Sequence, residues 1–252
     1  MRRISILNFK GGVGKTSLAI NLSDELRRRG QVVLLVDCDR QRNASSIIPT
    51  DVEIGTTLKE VLMGQSPIDD AIYEARPDLY VMPAHPDLEL AGKHITVSGT
   101  RTLKTLKYGV ERLGGVDFIL FDHAPSYSAI TDAALLASTE MLIPVELETF
   151  SVSGLVDMIT KLTQVLAELE HEVAISGIVP SNLDYTKSMT QMYLQSLKNR
   201  FGDRVTLPIR TDAQISKSQS MSQTVWEYNP HSKGTEDYAA IATLLLEQEV
   251  LV

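Results

Sequence analysis

Short, uninterrupted apolar runs recur along the chain, and longer segments with helical periodicity separate them. A run that is apolar at nearly every position is typical of a strand covered on both faces, as in a parallel sheet. Alternation of such strands with helices predicts an α/β fold with a doubly wound, mostly parallel sheet flanked by helices. The predicted strands are residues 4–7, 32–36, 79–83, 118–121, 141–145, 174–179 and 205–207.

The helical periodicity is clearest after the first strand, where Leu18, Leu22 and Leu26 recur at four-residue spacing before Gly30. This spacing places the leucines on one face of a helix, and the glycine is typical of a helix stop. A second long apolar stripe predicts a helix over residues 152–169. Further helices are predicted over 54–62, 68–74, 103–113 and 189–197, with a terminal helix around 238–245.

Composition limits the class of protein. The chain has 252 residues, 43% of them apolar, and a net charge of −8. With no linker-like or low-complexity segment, we expect one globular domain over 1–252. The negative charge argues against nucleic-acid binding by bulk charge, so such binding would need a local basic patch.

Two further observations bear on the cellular compartment. Cys38 is the one cysteine, which excludes a disulfide framework or an iron–sulfur cluster within one chain and predicts a small buried side chain. The chain shows no signal-like segment and no apolar run of about 18 residues, so we expect a cytoplasmic protein.

A glycine-rich loop lies between the first predicted strand and the helix that begins at Thr16. Glycines adopt backbone angles closed to other residues, so successive N–H groups can turn inward around phosphate oxygens. The positive end of the helix dipole points at the same anion. The predicted phosphate-binding residues are Lys10, Gly11, Gly12, Val13, Gly14, Lys15, Thr16 and Ser17.

The side chains of this loop add specific chemistry. Lys15 is placed to reach the β and γ phosphates of a nucleotide, and the Thr16 hydroxyl is placed to bind Mg²⁺. The segment matches the P-loop pattern G-x-x-x-x-G-K-[ST] only if the first glycine is dropped. The loop also carries a second lysine, Lys10, directly before Gly11.

Two predicted strands end in aspartates. Asp37 and Asp39 follow the run 32–36, and Asp122 follows the run 118–121. Ligands of open α/β sheets bind at the carboxyl ends of the strands, so we expect these carboxylates beside the phosphate loop. Asp122 has the form of a Walker B aspartate that holds Mg²⁺ through water. Of Asp37 and Asp39, one can steady the water shell of the metal while the other orients the attacking water.

The segment from Lys10 to Thr16 resembles the deviant Walker A motif of the ParA/MinD family of dimeric P-loop ATPases, which are SIMIBI-like NTPases. The resemblance implies ATP and Mg²⁺ as cofactors and a homodimer that forms on ATP binding. In that family the extra lysine crosses to the nucleotide of the partner, a role that falls here to Lys10. The implied catalytic residues are Lys10, Lys15 and Asp39, and the implied metal-side residues are Thr16, Asp37 and Asp122.

The resemblance is incomplete after the second strand. The usual D-x-D-P-Q-G-N stretch appears as Asp37-Cys38-Asp39-Arg40-Gln41-Arg42-Asn43, with arginines in place of proline and glycine. We expect Arg40 and Arg42 to reshape the turn or to add contacts across the dimer. The second half of the chain resembles the family less specifically, and there it implies adenine contacts at Asn182, Pro208, Ile209 and Arg210.

The region from 187 to 233 is locally basic, with seven cations against three carboxylates. The resemblance implies binding to non-specific DNA through this region, and salt-sensitive phosphate contacts would mediate it. The candidate DNA contacts are Lys187, Lys198, Arg200, Arg204 and Lys217. The family further implies a ParB-like or McdB-like adaptor that stimulates hydrolysis, association with the nucleoid, and a plasmid, chromosome or carboxysome as cargo.

Two alternatives to a DNA-based positioning ATPase remain open. A MinD-like protein would bind the membrane through a basic amphipathic tail, but residues 243–252 carry glutamates and no lysine or arginine, so we expect no membrane partner. A metabolic enzyme of the same superfamily would use ATP on a small substrate. Lys10 favours the dimeric ATPase, whereas a dedicated substrate pocket would favour the enzyme.

Overall fold

The computed structural model describes residues 1–147 and 152–248, apart from the side chain of Ser188. In the described residues, seven strands form one sheet. They are β1 Arg2–Ile6, β2 Val33–Cys38, β3 Tyr73–Arg76, β4 Leu79–Met82, β5 Phe118–His123, β6 Glu140–Glu146 and β7 Ala174–Ser181. The strand order is β3-β4-β2-β5-β1-β6-β7, and only β3 pairs antiparallel with its neighbour. The predicted mostly parallel α/β fold is confirmed.

Helices cover both faces of this sheet. They are α1 Lys15–Arg28, α2 Leu58–Leu62, α3 Leu88–Ser98, α4 Thr100–Leu103, α5 Thr105–Val110, α6 Ala129–Ala137, α7 Val152–Glu168, α8 Ser188–Phe201, α9 Ala213–Ser220, α10 Val225–Tyr228 and α11 Lys233–Glu247. Among the residues that the structure describes, no helix is long and apolar enough to cross a membrane. The last four residues of the acidic tail, 249–252, lie outside the described residues.

The core lies on both sides of the central strands, as the continuous apolar runs predict. On one side, Leu18, Leu22 and Leu26 of α1 pack with α11 against β1, β2 and β5. On the other side, α2, α3, α5 and α6 cover β2 and β5. Cys38 is 4% exposed within that second cluster, so its prediction as a small buried side chain is confirmed. A third cluster joins β6 and β7 to α7 and α8.

Several sequence-based element boundaries were wrong, mostly between β2 and β5. The helix predicted over 54–62 begins at Leu58, because Thr57 and Glu60 form a capping box that fixes its start. The helix predicted over 68–74 is a short 3₁₀ turn at Ile68–Ala71 followed by β3, whose pairing with β4 overrides the helical pattern. The helix predicted over 103–113 corresponds to α5, which ends at Val110, and Lys104 separates it from α4, which ends at Leu103.

The strand predicted over 205–207 is also absent from the described sheet. Only Val205 makes an isolated bridge to Ile178 of β7, and Leu207 is 64% exposed just before Pro208. Proline has no N–H for a ladder, which limits pairing here. The helices α3, α6, α9 and α10 were not predicted from sequence. The long helix α7, the helix α8 and the terminal helix α11 confirm their predictions within a few residues at each end.

Candidate nucleotide site

The glycine loop joins β1 to α1 in the conformation that its sequence predicts. Gly12 and Gly14 have φ angles of 78° and 85°, in the left-handed region that residues with a Cβ rarely adopt. Gly14 precedes the first residue of α1, and its carbonyl accepts the N–H of Leu18 at 2.9 Å. The remaining N–H groups of the first helical turn have no partner within the helix, which suits them to bind an anion.

A cavity of about 580 Å³ adjoins the loop. Gly11, Lys15, Thr16 and Ser17 line one side of it, and Asp39 lines another. Ser216 and Gln219 of α9 also line this cavity. The structure therefore brings the predicted phosphate loop and the predicted hydrolytic aspartate to one open cavity, which a helix from the C-terminal region also lines.

Lys15 is held at this cavity in a mostly buried position. It is 7% exposed, and its Nζ donates to the carbonyl oxygen of Lys10 at 2.9 Å. Burial lowers the pKa of Lys15, while the charges of Asp122 and Asp39 oppose that shift. An anion in the cavity would supply the missing counter-charge, so the environment of this lysine suits phosphate.

Asp37 and Asp122 lie side by side on neighbouring strands, since β2 and β5 pair them in register. Both are 0% exposed. Neither carboxylate oxygen of Asp122 has a hydrogen-bond partner among the described residues. Burial, followed by the charge of Asp37, raises the pKa of Asp122 well above its usual range. The nearby Thr16 hydroxyl lowers this pKa in part, although its geometry does not make it a hydrogen-bond partner. A buried carboxyl group without partners is costly, and a cation would relieve that cost.

Among the described residues, the protein offers few side-chain ligands for such a cation. In residues 1–147 and 152–248, no group of three or more His, Cys, Asp or Glu side chains could hold a metal ion together. Mg²⁺ keeps several waters and binds through one or two protein oxygens plus nucleotide phosphates. The donor set of Asp122 and Thr16 beside a phosphate cavity fits that chemistry.

Asp37 is already satisfied by its own turn. Its Oδ2 accepts the backbone N–H and the hydroxyl of Ser45, each at 2.7 Å, and its Oδ1 accepts the N–H of Asp39 at 3.0 Å. Burial raises the pKa of Asp37 to about 6, and these hydrogen bonds limit the rise. Asp37 therefore stabilises the turn that carries Asp39. This structural role is separate from the metal-side role predicted for Asp37 from the sequence.

The turn after Asp39 keeps a left-handed residue despite the change in sequence. Arg42 has a φ of 60°, and its N–H donates to the carbonyl of Asp39 at 2.9 Å. This is the position at which the D-x-D-P-Q-G-N pattern has glycine, the residue that adopts a positive φ most readily. Arg40 lies within 3.2 Å of Glu89 on α3, measured from its Nε to a carboxylate oxygen.

Lys10 differs from Lys15 in exposure and in partners. Its side chain is 38% exposed, and its Nζ lies 3.8 Å from Oε2 of Glu146 at the end of β6. Oε1 of Glu146 in turn accepts the amide of Asn182 at 2.9 Å. Lys15 thus points into its own cavity, whereas the ammonium of Lys10 lies at the surface.

The residues predicted to contact adenine lie at a second, smaller cavity. It measures about 190 Å³ and shares Gly12, Gly14, Ser17 and Ser216 with the walls of the phosphate cavity. Of the four predicted residues, Asn182, Ile209 and Arg210 line it, whereas Pro208 is not among its lining residues. The guanidinium of Arg210 is bound to Asp237, with Nε at 2.9 Å from Oδ1, and to Glu236 at 2.8 Å.

The candidate DNA contacts are spread over separate elements. Lys187 precedes α8, Lys198 and Arg200 lie in its last turn, Arg204 ends a short 3₁₀ turn, and Lys217 lies on α9. The helix α8 packs on α7 beyond the edge strand β7, while α9 lies at the phosphate cavity. Within one chain these cations therefore do not share one secondary-structure element.

The sequence reasoning missed Ser216 and Gln219, which line the phosphate cavity. They belong to the polar segment Ser216-Lys217-Ser218-Gln219-Ser220, which matches no phosphate-binding pattern. Gln219 Nε2 donates to Ser17 Oγ at 2.7 Å, a contact between residues 202 positions apart. Only the tertiary fold brings them together, so no local signal could have identified them.

The fold and this site define a P-loop nucleotide-binding protein. A family model described as an AAA domain matches residues 1–175. The chromosome partitioning protein ParA of Caulobacter vibrioides is 32% identical over 260 residues, covering 99% of this chain and 95% of that protein. The chromosome-partitioning ATPase Soj of Thermus thermophilus is 32% identical over 243 residues, covering 96% and 94%.

Solved structures agree with this assignment. The septum site-determining protein MinD of Pyrococcus horikoshii, in complex with Mg-ADP, superimposes with a TM-score of 0.80 at 27% identity, covering 98% of this chain and 96% of that one. This chain belongs to the ParA/Soj family of partitioning ATPases. The resemblance inferred from the phosphate loop is thereby confirmed, as is the enzyme class.

Proposed function

We propose that the protein binds ATP with Mg²⁺, dimerises on ATP, binds non-specific DNA as a dimer and is released when hydrolysis follows. The observation that carries this proposal is the contrast between the two lysines of the loop. Lys15 is 7% exposed at its own phosphate cavity, whereas the side chain of Lys10 is 38% exposed and pairs with Glu146 at the end of β6, where a second copy can approach it. A lysine shared in this way makes nucleotide binding and dimerisation one event.

Hydrolysis in this proposal uses the residues at the strand ends. Lys15 and the loop N–H groups hold the phosphates, and Thr16 with Asp122 holds Mg²⁺, which neutralises charge on the transferred group when bound. Asp39 lines the phosphate cavity and orients the attacking water. Asp37 fixes the turn that carries Asp39. The MinD structure, which contains Mg-ADP, supports this choice of cofactors.

DNA binding would draw on the cations of the C-terminal region. Lys187, Lys198, Arg200, Arg204 and Lys217 lie on separate elements, and a dimer doubles the number that one duplex can contact. The names of the ParA and Soj relatives support partitioning of DNA as the task. In this proposal the protein associates with the nucleoid, and a ParB-like or McdB-like adaptor stimulates hydrolysis to position a chromosome, plasmid or carboxysome.

The decisive experiment measures binding of a random-sequence DNA duplex with Mg-ATP, Mg-ADP and no nucleotide, across a salt series, with oligomeric state followed in parallel. We expect a dimer that binds DNA tightly with Mg-ATP, but not with Mg-ADP or without nucleotide. The association constant for DNA should fall with about the first power of the salt concentration for each phosphate contact. Lys198→Ala should make the salt dependence of DNA binding less steep, whereas Lys161→Ala, at an exposed position of α7, should not. ATP-loaded protein that stays monomeric and ignores DNA at low salt would refute the proposal.

A further inference from the structure

One polar stripe of α1 forms a continuous seam with the segment from α9 to α10. Ser17, Asn21, Asp24 and Arg28 recur at spacings of four, three and four residues, so they lie on one face of the helix. This face is separate from the leucine face that packs on the sheet. The phosphate-loop helix therefore carries two contact surfaces, one apolar and one polar.

Each residue of the stripe contacts α9, α10 or the turn between them. Ser17 Oγ accepts Nε2 of Gln219 at 2.7 Å, and Asn21 Oδ1 accepts the N–H of Val225 at 2.7 Å. Asp24 Oδ2 accepts the hydroxyl of Thr224 at 2.9 Å. The guanidinium of Arg28 lies over the ring of Trp226, 3.8 Å from its centre.

The middle of the seam is buried and satisfied, whereas its first contact borders the phosphate cavity. Asn21 is 3% exposed, Asp24 is 1% exposed and Thr224 is fully buried. Buried hydrogen bonds of this kind fix the position of two elements, because leaving one partner unpaired is costly. Ser17 and Gln219, in contrast, both line the cavity. Only this end of the seam is open to a ligand.

A phosphate oxygen bound in that cavity would compete with Ser17 for the amide of Gln219. Charge-assisted hydrogen bonds are stronger than neutral ones, so the amide would favour the phosphate. Gln219 lies on α9, and so does Lys217, an exposed candidate DNA contact. A shift of α9 on nucleotide binding would therefore change how Lys217 is presented.

We infer that Gln219 is a positioning residue that couples occupancy of the phosphate cavity to α9 and, through Lys217, to DNA binding. The DNA part rests on the proposed function, whereas the coupling of the cavity to α9 does not. Asn21 and Asp24 anchor α10 through Val225 and Thr224. The expected response to the nucleotide is therefore a shift of α9 against α10, the helix that carries Trp226.

The chain carries its own reporter for this response, since Trp226 is its one tryptophan and lies on α10, which packs against α9. The experiment titrates a non-hydrolysable ATP analogue with Mg²⁺ into wild type, Gln219→Ala and Gln214→Ala while recording tryptophan emission. Gln214 is the matched control, because it lies on the same helix but is not among the residues that line the cavity. Analogue affinity is measured independently by calorimetry.

We expect a saturable emission change in wild type and Gln214→Ala, and loss of most of its amplitude in Gln219→Ala at saturating analogue. Thermal unfolding should be alike for all three proteins. Full amplitude in Gln219→Ala, or no change in wild type despite analogue binding, would overturn the coupling.

The second arm measures DNA binding with ATP and with ADP. Gln219→Ala should dimerise like wild type yet lose about tenfold of the ATP-dependent gain in DNA affinity, the value of one hydrogen bond to a charged group. Lys217→Ala should lose a similar part of this ATP-dependent gain while keeping the full tryptophan response of wild type. If Gln219→Ala keeps the full gain, the link to DNA is wrong. If wild type binds no DNA at all, the proposed function fails, and the tryptophan arm still decides the coupling.

Discussion

The two sides of the nucleotide site are built on opposite principles. On the sheet side, Asp122 is buried, neither of its carboxylate oxygens has a hydrogen-bond partner among the described residues, and burial lowers the pKa of Lys15. On the C-terminal side, Arg210 is bound to Asp237 and Glu236. The first side is left electrostatically incomplete until a ligand arrives, whereas the second is complete within the chain. The difference indicates that the sheet side binds the phosphates and the metal ion, whereas the C-terminal side forms a wall of the nucleotide site.

The largest effect should come from Lys15→Ala. The substitution removes the buried cation of the phosphate cavity, and we expect nucleotide affinity to fall by roughly three orders of magnitude. Calorimetry with Mg-ATP measures it, and Lys161→Ala on α7 serves as an exposed-lysine control. ATP affinity within a few-fold of wild type would mean that the sheet side is not the phosphate site.

Asp39→Ala should separate hydrolysis from binding. Asp39 lines the cavity but contacts the protein mainly through its own turn, with its Oδ1 accepting the N–H of Gln41 at 3.0 Å. Loss of the group that orients water should lower the turnover number by about a hundredfold while ATP binding persists. Phosphate release and calorimetry measure the two quantities, and Asp39→Asn, which keeps the shape, should behave alike. Unchanged turnover would assign the water to another residue.

How far the sequence predicts the molecule differs between these two sides. The loop, the helix after it and the strand-end aspartates are consecutive or follow apolar runs, so local backbone preference and the alternation of strands and helices were enough to predict them. Ser216 and Gln219 reach the cavity from about 200 residues away, and Arg210 is held by residues of α11. Such positions depend on tertiary packing, which no spacing in the sequence encodes.

The same limit explains the errors between β2 and β5. Residues 68–74 have a helical pattern, but pairing with β4 makes Tyr73–Arg76 a strand. Asp24 shows the limit within a predicted helix. The leucine spacing assigns it to a polar face, yet it is 1% exposed because Thr224 and Arg27 bind it. Amphipathic spacing identifies the core-facing stripe and cannot reveal that a second element covers the polar one.

Asp122→Asn should stabilise the protein in the absence of nucleotide. It neutralises a buried carboxyl group that has no hydrogen-bond partner among the described residues. We expect the free energy of unfolding at pH 8 to rise by roughly 1–3 kcal/mol, with a loss of Mg²⁺-dependent ATP hydrolysis. Urea denaturation measures the first, with Asp51→Asn at an exposed position as the control. A destabilised variant would show that Asp122 is satisfied without a cation.

Arg210→Ala should act with the opposite sign. Its guanidinium binds Asp237, a residue of α11 that is 9% exposed, so its removal leaves a nearly buried carboxylate with fewer donors. The backbone N–H of Arg210 still donates to Asp237 at 2.7 Å, which limits the loss to about 1 kcal/mol in the free energy of unfolding. Urea denaturation tests this against Arg204→Ala, an exposed arginine whose removal should change the free energy of unfolding little.

Arg210 also lines the smaller cavity, but its main partners are Asp237 and Glu236. We therefore expect Arg210→Ala to lower ATP affinity only a few-fold. A loss as large as that of Lys15→Ala, without destabilisation, would mean that the C-terminal side is as incomplete as the sheet side.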